Sequence, residues 1–471
     1  MRVLLIKPET VGIFCYTNQV EHEPLEMEYV KTILEQNGYE ALIYDRRYDM
    51  TTLKRKITSY QPDIVCITGY ITQQDLMIAY TKKIKKINPE IQIIIGGSNA
   101  EINYMNYYAS QADYIYHLSG LTNFVKLVDY ISGKKDCSKD NCSPDGCEKS
   151  GCVTKLSDID GICYRENGEW KVTRKVVESP EDLPIPDRSF LYENIERFGY
   201  LKFRPLALVK NSFSCKKACS FCFCTNRNSG RYACRSVESL VAEIKSLDVQ
   251  NIHITDDDFL VDREYLMEFV RLIRENDIHK KFLIYGRADF IAENEDVIKE
   301  LADIGLALVM VGLEATNNDE LNSYNKRTSV FQNEECIRIL SKYHVICAGL
   351  FIVNPNMTKA DFKSLYEWLA KRDVIPTISV FTPMQGSAMY QQYENKLVNK
   401  DVTKQDLFHC LIQPDHMSIR AFTRQYYKLS LSIAWKKRHA ELYSEINYFG
   451  AVWHVVKATV IRVWRFVVEG L

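Results

Sequence analysis

The 471-residue sequence lacks an excess of charge of either sign: 60 Lys and Arg stand against 61 Asp and Glu, a formal net charge of -1. This excludes a general polyanion-binding surface but not local basic patches, and no nucleic-acid partner is expected. No apolar run reaches about 18 residues without charge, so no spanning helix is expected. The start, MRVLLIKPET, has one Arg and a short apolar run closed by Pro8. It lacks the long apolar segment and small-residue cleavage site of a secretory signal, and the expected compartment is the cytosol. The composition, 46% hydrophobic and 26% charged, excludes a disordered or collagenous chain. At roughly 150 residues per domain the length allows about three domains, or two plus an extension.

The first part alternates strand and helix patterns. Apolar runs at 2–8, 40–45, 63–70, 91–97 and 113–118 are separated by helical spacing at 24–37, 53–60, 73–87 and 122–131. The runs are almost continuously apolar, as in strands covered on both faces, which predicts a parallel, doubly wound sheet over 1–135. Ligands of such sheets lie at the carboxyl ends of the strands, so loops 8–12, 69–72, 96–98 and 119–122 border one crevice. Gly69, Thr72, Gly96, Gly97 and Gly120 are candidate ligand-binding positions; the glycines serve equally as ordinary strand-end turns.

Residues 136–200 are expected to form a cysteine-rich insert, a β-hairpin over 156–173 turning at 166–168, and an extended linker with Pro180, Pro184 and Pro186. From Leu206 six strand candidates follow: LALVKN, NIHITD, FLIYGR, ALVMVGLE, ICAGLFIV and TISVFTP. Helical patterns lie between them, giving about three quarters of an eight-fold β/α barrel over 201–395. The remainder, 396–471, reads as a mostly helical extension. Its end places His454, Lys457, Arg462, Arg465 and Glu469 on one stripe opposite Val, Trp, Ile and Phe. That suits a helix docked on the barrel, or one making peripheral contact with a membrane or a greasy substrate.

Fifteen cysteines are spread along the chain. In a reducing compartment, clustered cysteines read as metal ligands. In SFSCKKACSFCFC, Cys215, Cys219 and Cys222 follow the first barrel strand with spacing C-x-x-x-C-x-x-C. Three thiolates on one loop can hold three irons of a 4Fe–4S cube and leave the fourth iron open to a chelating substrate. Cys224 is placed as a neighbour of such a cluster. A zinc site would ordinarily add a second C-x-x-C pair, which the sequence lacks. Cys137, Cys142, Cys147 and Cys152 recur at five-residue intervals, either as a second metal site or as a tandem expansion without ligand role.

The cysteine loop, with aromatic Phe221 before its third cysteine, resembles that of the radical S-adenosylmethionine (SAM) superfamily. RSVESLVAEI, ITDDDF, VGLEA, NKRTS and TPMQGSAMY look like the branch that joins an N-terminal cobalamin-binding domain to the radical domain. YITQQ and IIIGGSNAE look like that N-terminal domain, and the resemblance spans about residues 1–395. It implies Cys215, Cys219 and Cys222 as ligands of a 4Fe–4S cluster and the backbone at Phe221 against the SAM adenine. It implies Asp256, Arg287 and Glu314 for the amino, carboxylate or ribose groups of SAM; each suits a structural ion pair as well.

The implied reaction is reductive cleavage of SAM, hydrogen abstraction from an unactivated carbon, and methylation from cobalamin. The same cofactors serve cyclisation, oxidation or carbon–carbon coupling, and a corrinoid- or metal-carrying protein without turnover is the reading from another class. Expected partners are a small-molecule, lipid or peptide substrate and an electron donor such as flavodoxin or ferredoxin. Two family features are missing. The cobalt-binding D-x-H-x-x-G is replaced by KPETVGIFCYTNQVEHEP, where His22 stands in VEH, and G-E-x-E is replaced by SGLT. No ligand is assigned to the lower face of cobalt.

Overall fold

In the computed structural model, residues 1–9, 20–134, 155–434, 456 and 460 are described. The Cys137–Cys152 cluster, loop 10–12 and the polar stripe of the C-terminal helix lie outside them.

Strand β1 (Arg2–Lys7) is central in the first sheet because its core offers apolar side chains to both faces: Val3, Leu4, Leu5 and Ile6 are all buried. Strands β2 (Glu40–Asp45), β3 (Ile64–Thr68), β4 (Gln92–Gly96) and β5 (Tyr114–Tyr116) join it in the parallel order β2-β1-β3-β4-β5. Helices α1 (Leu25–Gln36), α2 (Leu53–Tyr60), α3 (Gln74–Ile87), α4 (Ser98–Asn103) and α5 (Thr122–Ser132) intervene. Leu4, Ile6 and Ile93 pack with Met77 and Tyr80 on one face, while Val3 and Leu5 share a core with Leu34 and Leu127 on the other. The order reverses between β1 and β3, which opens the crevice at their carboxyl ends.

Strands β6 (Ile162–Glu166) and β7 (Glu169–Val172) form the expected hairpin, turned by Asn167 and Gly168 with φ of 52° and 84°. The hairpin is part of the first sheet, not of a separate insert: Tyr114 pairs with Tyr164 and Ile115 with Cys163, antiparallel. The outer edge of β5 would otherwise expose unpaired backbone groups. The proline-rich stretch is extended apart from a single turn at Pro180–Asp182, and Glu178 and Arg188 within it are buried.

The second sheet is parallel and sequential: β8 (Leu206–Val209), β9 (Asn251–Ile254), β10 (Lys281–Gly286), β11 (Leu306–Glu314), β12 (Ile346–Val353) and β13 (Ile375–Val380). Helices α6 (Val237–Ser246), α7 (Arg263–Glu275), α8 (Ala288–Glu293), α9 (Glu295–Asp303), α10 (Asn318–Ser323), α11 (Val330–Lys342) and α12 (Lys359–Ala370) lie between the strands. Ser236, Asp262, Ser329 and Thr358 cap α6, α7, α11 and α12 by accepting from backbone N–H groups of the first turn. Ile252, Ile284, Val309 and Val311 face the helices, whereas Leu208, Leu283, Leu308, Met310 and Ala348 fill the barrel interior.

Within its described residues the extension begins less helical than its sequence suggests. Residues 400–418 hold only the short turn Val402–Lys404, because Asp401 accepts from the Thr403 amide and Asp406 from the Phe408 amide. Such local bonds compete with a helix. Helix α13 (Ile419–Ala434) then packs Phe422 on Phe362, ring centroids 5.4 Å apart, and the Tyr426 hydroxyl donates to Ile378 O at 3.1 Å. Among the described residues no helix is long and apolar enough to cross a membrane.

Candidate active site

The cysteine loop is shaped before the first cysteine is reached. Past β8 the chain turns into the short strand Ser212–Phe213, which pairs with Ala233–Cys234. Asp256, beyond β9, makes this turn: its buried carboxylate accepts from the amides of Asn211 (2.9 Å) and Ser212 (2.8 Å) and from Asn211 Nδ2 (3.0 Å). Its oxygens are thus committed within the chain. Ser214 takes a left-handed φ of 64° and its hydroxyl donates to Cys224 O at 3.1 Å, closing the loop. Cys215, Cys219, Cys222 and Cys224 are all half-buried.

Burial pushes the Cys215 thiol up to about 12 and raises that of Cys219, against which the charges of Lys326 and Arg287 pull. A hydrogen bond from Cys224 holds the Cys222 thiol down. Among the described residues no three His, Cys, Asp or Glu side chains gather as around a single metal ion. Thiolates that each take a different iron of a cube need not converge on one point.

A polar wall stands against the loop. Arg287, just past β10, places Nη1 3.8 Å from Cys219 Sγ, while Nε and Nη2 donate to Asp289 at 2.9 and 3.1 Å. Glu314, at the end of β11, accepts from Lys326 Nζ at 2.8 Å. Asp257 and Asp258 each keep one buried carboxylate oxygen without a hydrogen-bond partner. Burial pushes the Asp258 carboxyl up to about 7. Both carboxylates act electrostatically on Cys215. Orphaned buried oxygens call for a donor, best a cationic one. Phe221 stacks edge-on against Tyr324, ring centroids 5.5 Å apart. Three thiols, two cations beside Cys219 and unpartnered carboxylates beside Cys215 fit an anionic cluster that shares its site with an ammonium-bearing ligand.

The carboxyl ends of the two sheets face each other. Glu101, on α4 beyond β4, accepts from Asn228 N (2.6 Å), Arg227 Nε (3.1 Å) and Ser119 Oγ (2.5 Å). Arg227 and Asn228 lie on the arm that leaves the cysteine loop. Asn228 Oδ1 also accepts from Glu178 N at 2.8 Å, and Asn106 Nδ2 donates to Gln385 Oε1 at 2.7 Å. Tyr70, beyond β3, is 59% exposed at this face. Tyr285, at the top of β10, has its hydroxyl pushed up to about 12 by burial, reinforced by Asp257 and Tyr70.

The strand-end glycines are packed by their own chain. A Cβ at Gly97 (φ 92°) would meet Thr68 Oγ1 at 2.3 Å, one at Gly69 Met77 Sδ at 2.9 Å, and one at Gly120 Glu178 Oε2 at 2.4 Å. At Gly96 the nearest atom would be 3.9 Å away. Thr72 is half-buried in the turn Ile71–Gln73. His22 turns to the barrel, its ring 5.2 Å from that of His253. Glu101 and Asn228, which join the two halves, and Asp257, Asp258 and Lys326, which line the cysteine loop, carried no separate signal in the sequence: nothing in DDDF or NKRTS tells which residue turns inward.

A thiol loop at the carboxyl edge of an open parallel barrel, facing the crevice of a doubly wound sheet, defines a two-part α/β architecture. Residues 212–369 match the radical SAM superfamily and residues 7–127 the B12 binding domain. The chain is a radical SAM enzyme with an N-terminal B12 binding domain. It is 23% identical over 392 residues to hopanoid C-3 methylase of Methylococcus capsulatus, covering 83% of this chain and 72% of that protein. It is 25% identical over 422 residues to the anaerobic magnesium-protoporphyrin IX monomethyl ester cyclase of Rubrivivax gelatinosus, covering 84% and 70%.

The fold is that of the cobalamin-dependent SAM radical enzyme OxsB with aqua-cobalamin and SAM bound: TM-score 0.71, 15% identity, 96% of this chain and 71% of that one. The radical SAM methyltransferase TsrM of Kitasatospora setae matches with TM-score 0.64 and 16% identity over 84% of this chain and 77% of that one. The radical SAM domain implies a 4Fe–4S cluster and SAM, and the B12 binding domain implies cobalamin.

Proposed function

We propose that this enzyme methylates an unactivated carbon of a small-molecule substrate, with cobalamin as methyl carrier. The observation that carries the reading is the Glu101 junction, which fixes the cysteine loop against the carboxyl end of the first sheet. Cys215, Cys219 and Cys222 would hold the cluster. Asp257 and Asp258 would receive the SAM ammonium, Arg287 and Glu314 would border its carboxylate and ribose, and the backbone at Phe221 its adenine. Asp256 holds the loop rather than the ligand. Gly69, Thr72, Gly96, Gly97 and Gly120 would flank the corrin. When bound, cluster and SAM supply a one-electron cleavage that yields a carbon radical, and cobalamin supplies a methyl group.

The chain itself orients these groups and keeps water and stray hydrogen donors from the site. An external one-electron donor of the flavodoxin or ferredoxin type is required. The Rubrivivax relative's name, a cyclase, favours a second reading with a non-methylating radical outcome. Incubation of the reduced, anaerobic full chain with SAM and candidate substrates separates them. Methylation predicts 5′-deoxyadenosine together with product one methyl heavier. Product that has lost hydrogens without gaining methyl selects the second reading, and absence of 5′-deoxyadenosine with every substrate rejects radical turnover.

A further inference from the structure

Lys326 follows α10 in a stretch that wraps the cysteine loop. Ser220 N donates to Tyr324 O at 2.9 Å, Asn325 Nδ2 to Ala218 O at 2.7 Å, and Arg287 Nη2 to Lys326 O at 2.6 Å. The Lys326 side chain is buried and its ammonium donates to Glu314 Oε1 at 2.8 Å. Glu314, Asn325 and Arg327 all hold left-handed backbone, with φ of 59°, 48° and 55°. Gly312 leaves room for the pair, since a Cβ there would meet Glu314 Oε1 at 2.3 Å and Lys326 Nζ at 2.5 Å. Left-handed residues with side chains are unfavourable and persist where the surroundings impose them, often at functional sites. Stability alone does not account for a buried ion pair, because apolar replacements are often neutral or better.

The charges are also ordered. Arg287 Nη1 lies 3.8 Å from Cys219 Sγ while its Nη2 holds Lys326 O, so the Lys326 segment and the Arg287 cation meet at one corner of the cysteine loop. We propose that Lys326 is a positioning residue for the cluster: with Arg287 it holds fixed positive charge at the Cys219 corner and so raises the cluster's reduction potential. One electron from an external donor, a reduced flavodoxin-type protein or dithionite, adds one negative charge to the cube and moves no proton. A fixed cation beside the accepting corner stabilises that added charge, and low-dielectric surroundings strengthen the effect.

The inference rests on the three-cysteine cluster, which iron and sulfide analysis of the reconstituted wild-type chain checks separately. The test is an EPR-monitored redox titration of full-length chain without SAM. At the potential where wild type is half reduced, Lys326→Gln should hold about tenfold less reduced cluster at equal iron content. Lys326→Arg should return to the wild-type potential. An unchanged potential in Lys326→Gln overturns the proposal. Where that variant loses its cluster, Glu314→Gln decides: removal of the counter-charge should move the potential upward, and a downward or absent shift overturns it.

Discussion

The Arg188 guanidinium donates to the carbonyl of Leu208 at 2.9 Å, on the free edge of β8. The Leu208 amide, on the same edge, donates to Glu23. Side chains from α1's approach and from the proline-rich stretch therefore do what a neighbouring strand would do, and the open barrel ends without an exposed ladder. Arg188 also pairs with Glu23, Glu28 and Glu243 at 3.1, 2.9 and 2.7 Å, and Arg235 pairs with Glu243 from the other side.

Removing this guanidinium should leave three buried acidic groups with one cation. Arg188→Ala is expected to cost about 3–5 kcal/mol. Differential scanning fluorimetry should show a fall in melting temperature of about 5 °C or more. A melting temperature equal to wild type would remove the edge-capping account.

The same cluster predicts a pH dependence. Burial, reinforced by Glu23, raises the Glu28 carboxyl from an ordinary 4.5 to about 9. The folded chain thus binds a proton that the unfolded chain releases. Its contribution is fully present below about pH 4.5 and is lost progressively as pH rises to about 9. Melting temperature measured between pH 6 and 10 should fall more steeply for wild type than for Glu28→Gln; parallel curves would contradict the assignment.

Replacement of Cys215, Cys219 and Cys222 together by Ala should abolish iron binding and the visible absorbance of the anaerobically reconstituted chain. Cys224→Ala should retain about four irons per chain. A triple variant with unchanged absorbance would place the cluster elsewhere.

Neighbouring acids should separate by role. Asp256→Asn weakens the turn that feeds the loop and should lower cluster yield. Asp258→Asn should keep the cluster but weaken SAM binding about tenfold, measured by isothermal titration calorimetry. Equal SAM affinity in wild type and Asp258→Asn would remove Asp258 from the ligand site.

Gly97→Ala sets a Cβ against Thr68 at a left-handed φ of 92°. It should destabilise the β4–α4 turn by about 1–3 kcal/mol and weaken cobalamin binding, read from the cobalamin absorption spectrum on mixing. Full cobalamin binding by a normally stable variant would free that turn of both roles.

Sequence periodicity determined the two parallel sheets, because strands covered on both faces are apolar throughout and helices between them carry a 3.6-residue repeat. The cysteine spacing likewise placed the thiols on one loop, since ligands within eight residues need no distant contact to be neighbours. Only tertiary structure decided that the 156–173 hairpin extends the first sheet, that Asp256 faces the backbone while Asp257 and Asp258 keep free oxygens, that Glu101 and Arg188 bind one half to the other, and that Lys326 pairs with Glu314 beside the cysteine loop. Three adjacent aspartates are equivalent as letters. They are told apart by which way a strand end twists and which charges other elements bring within reach, and those partners lie about thirty to seventy residues away.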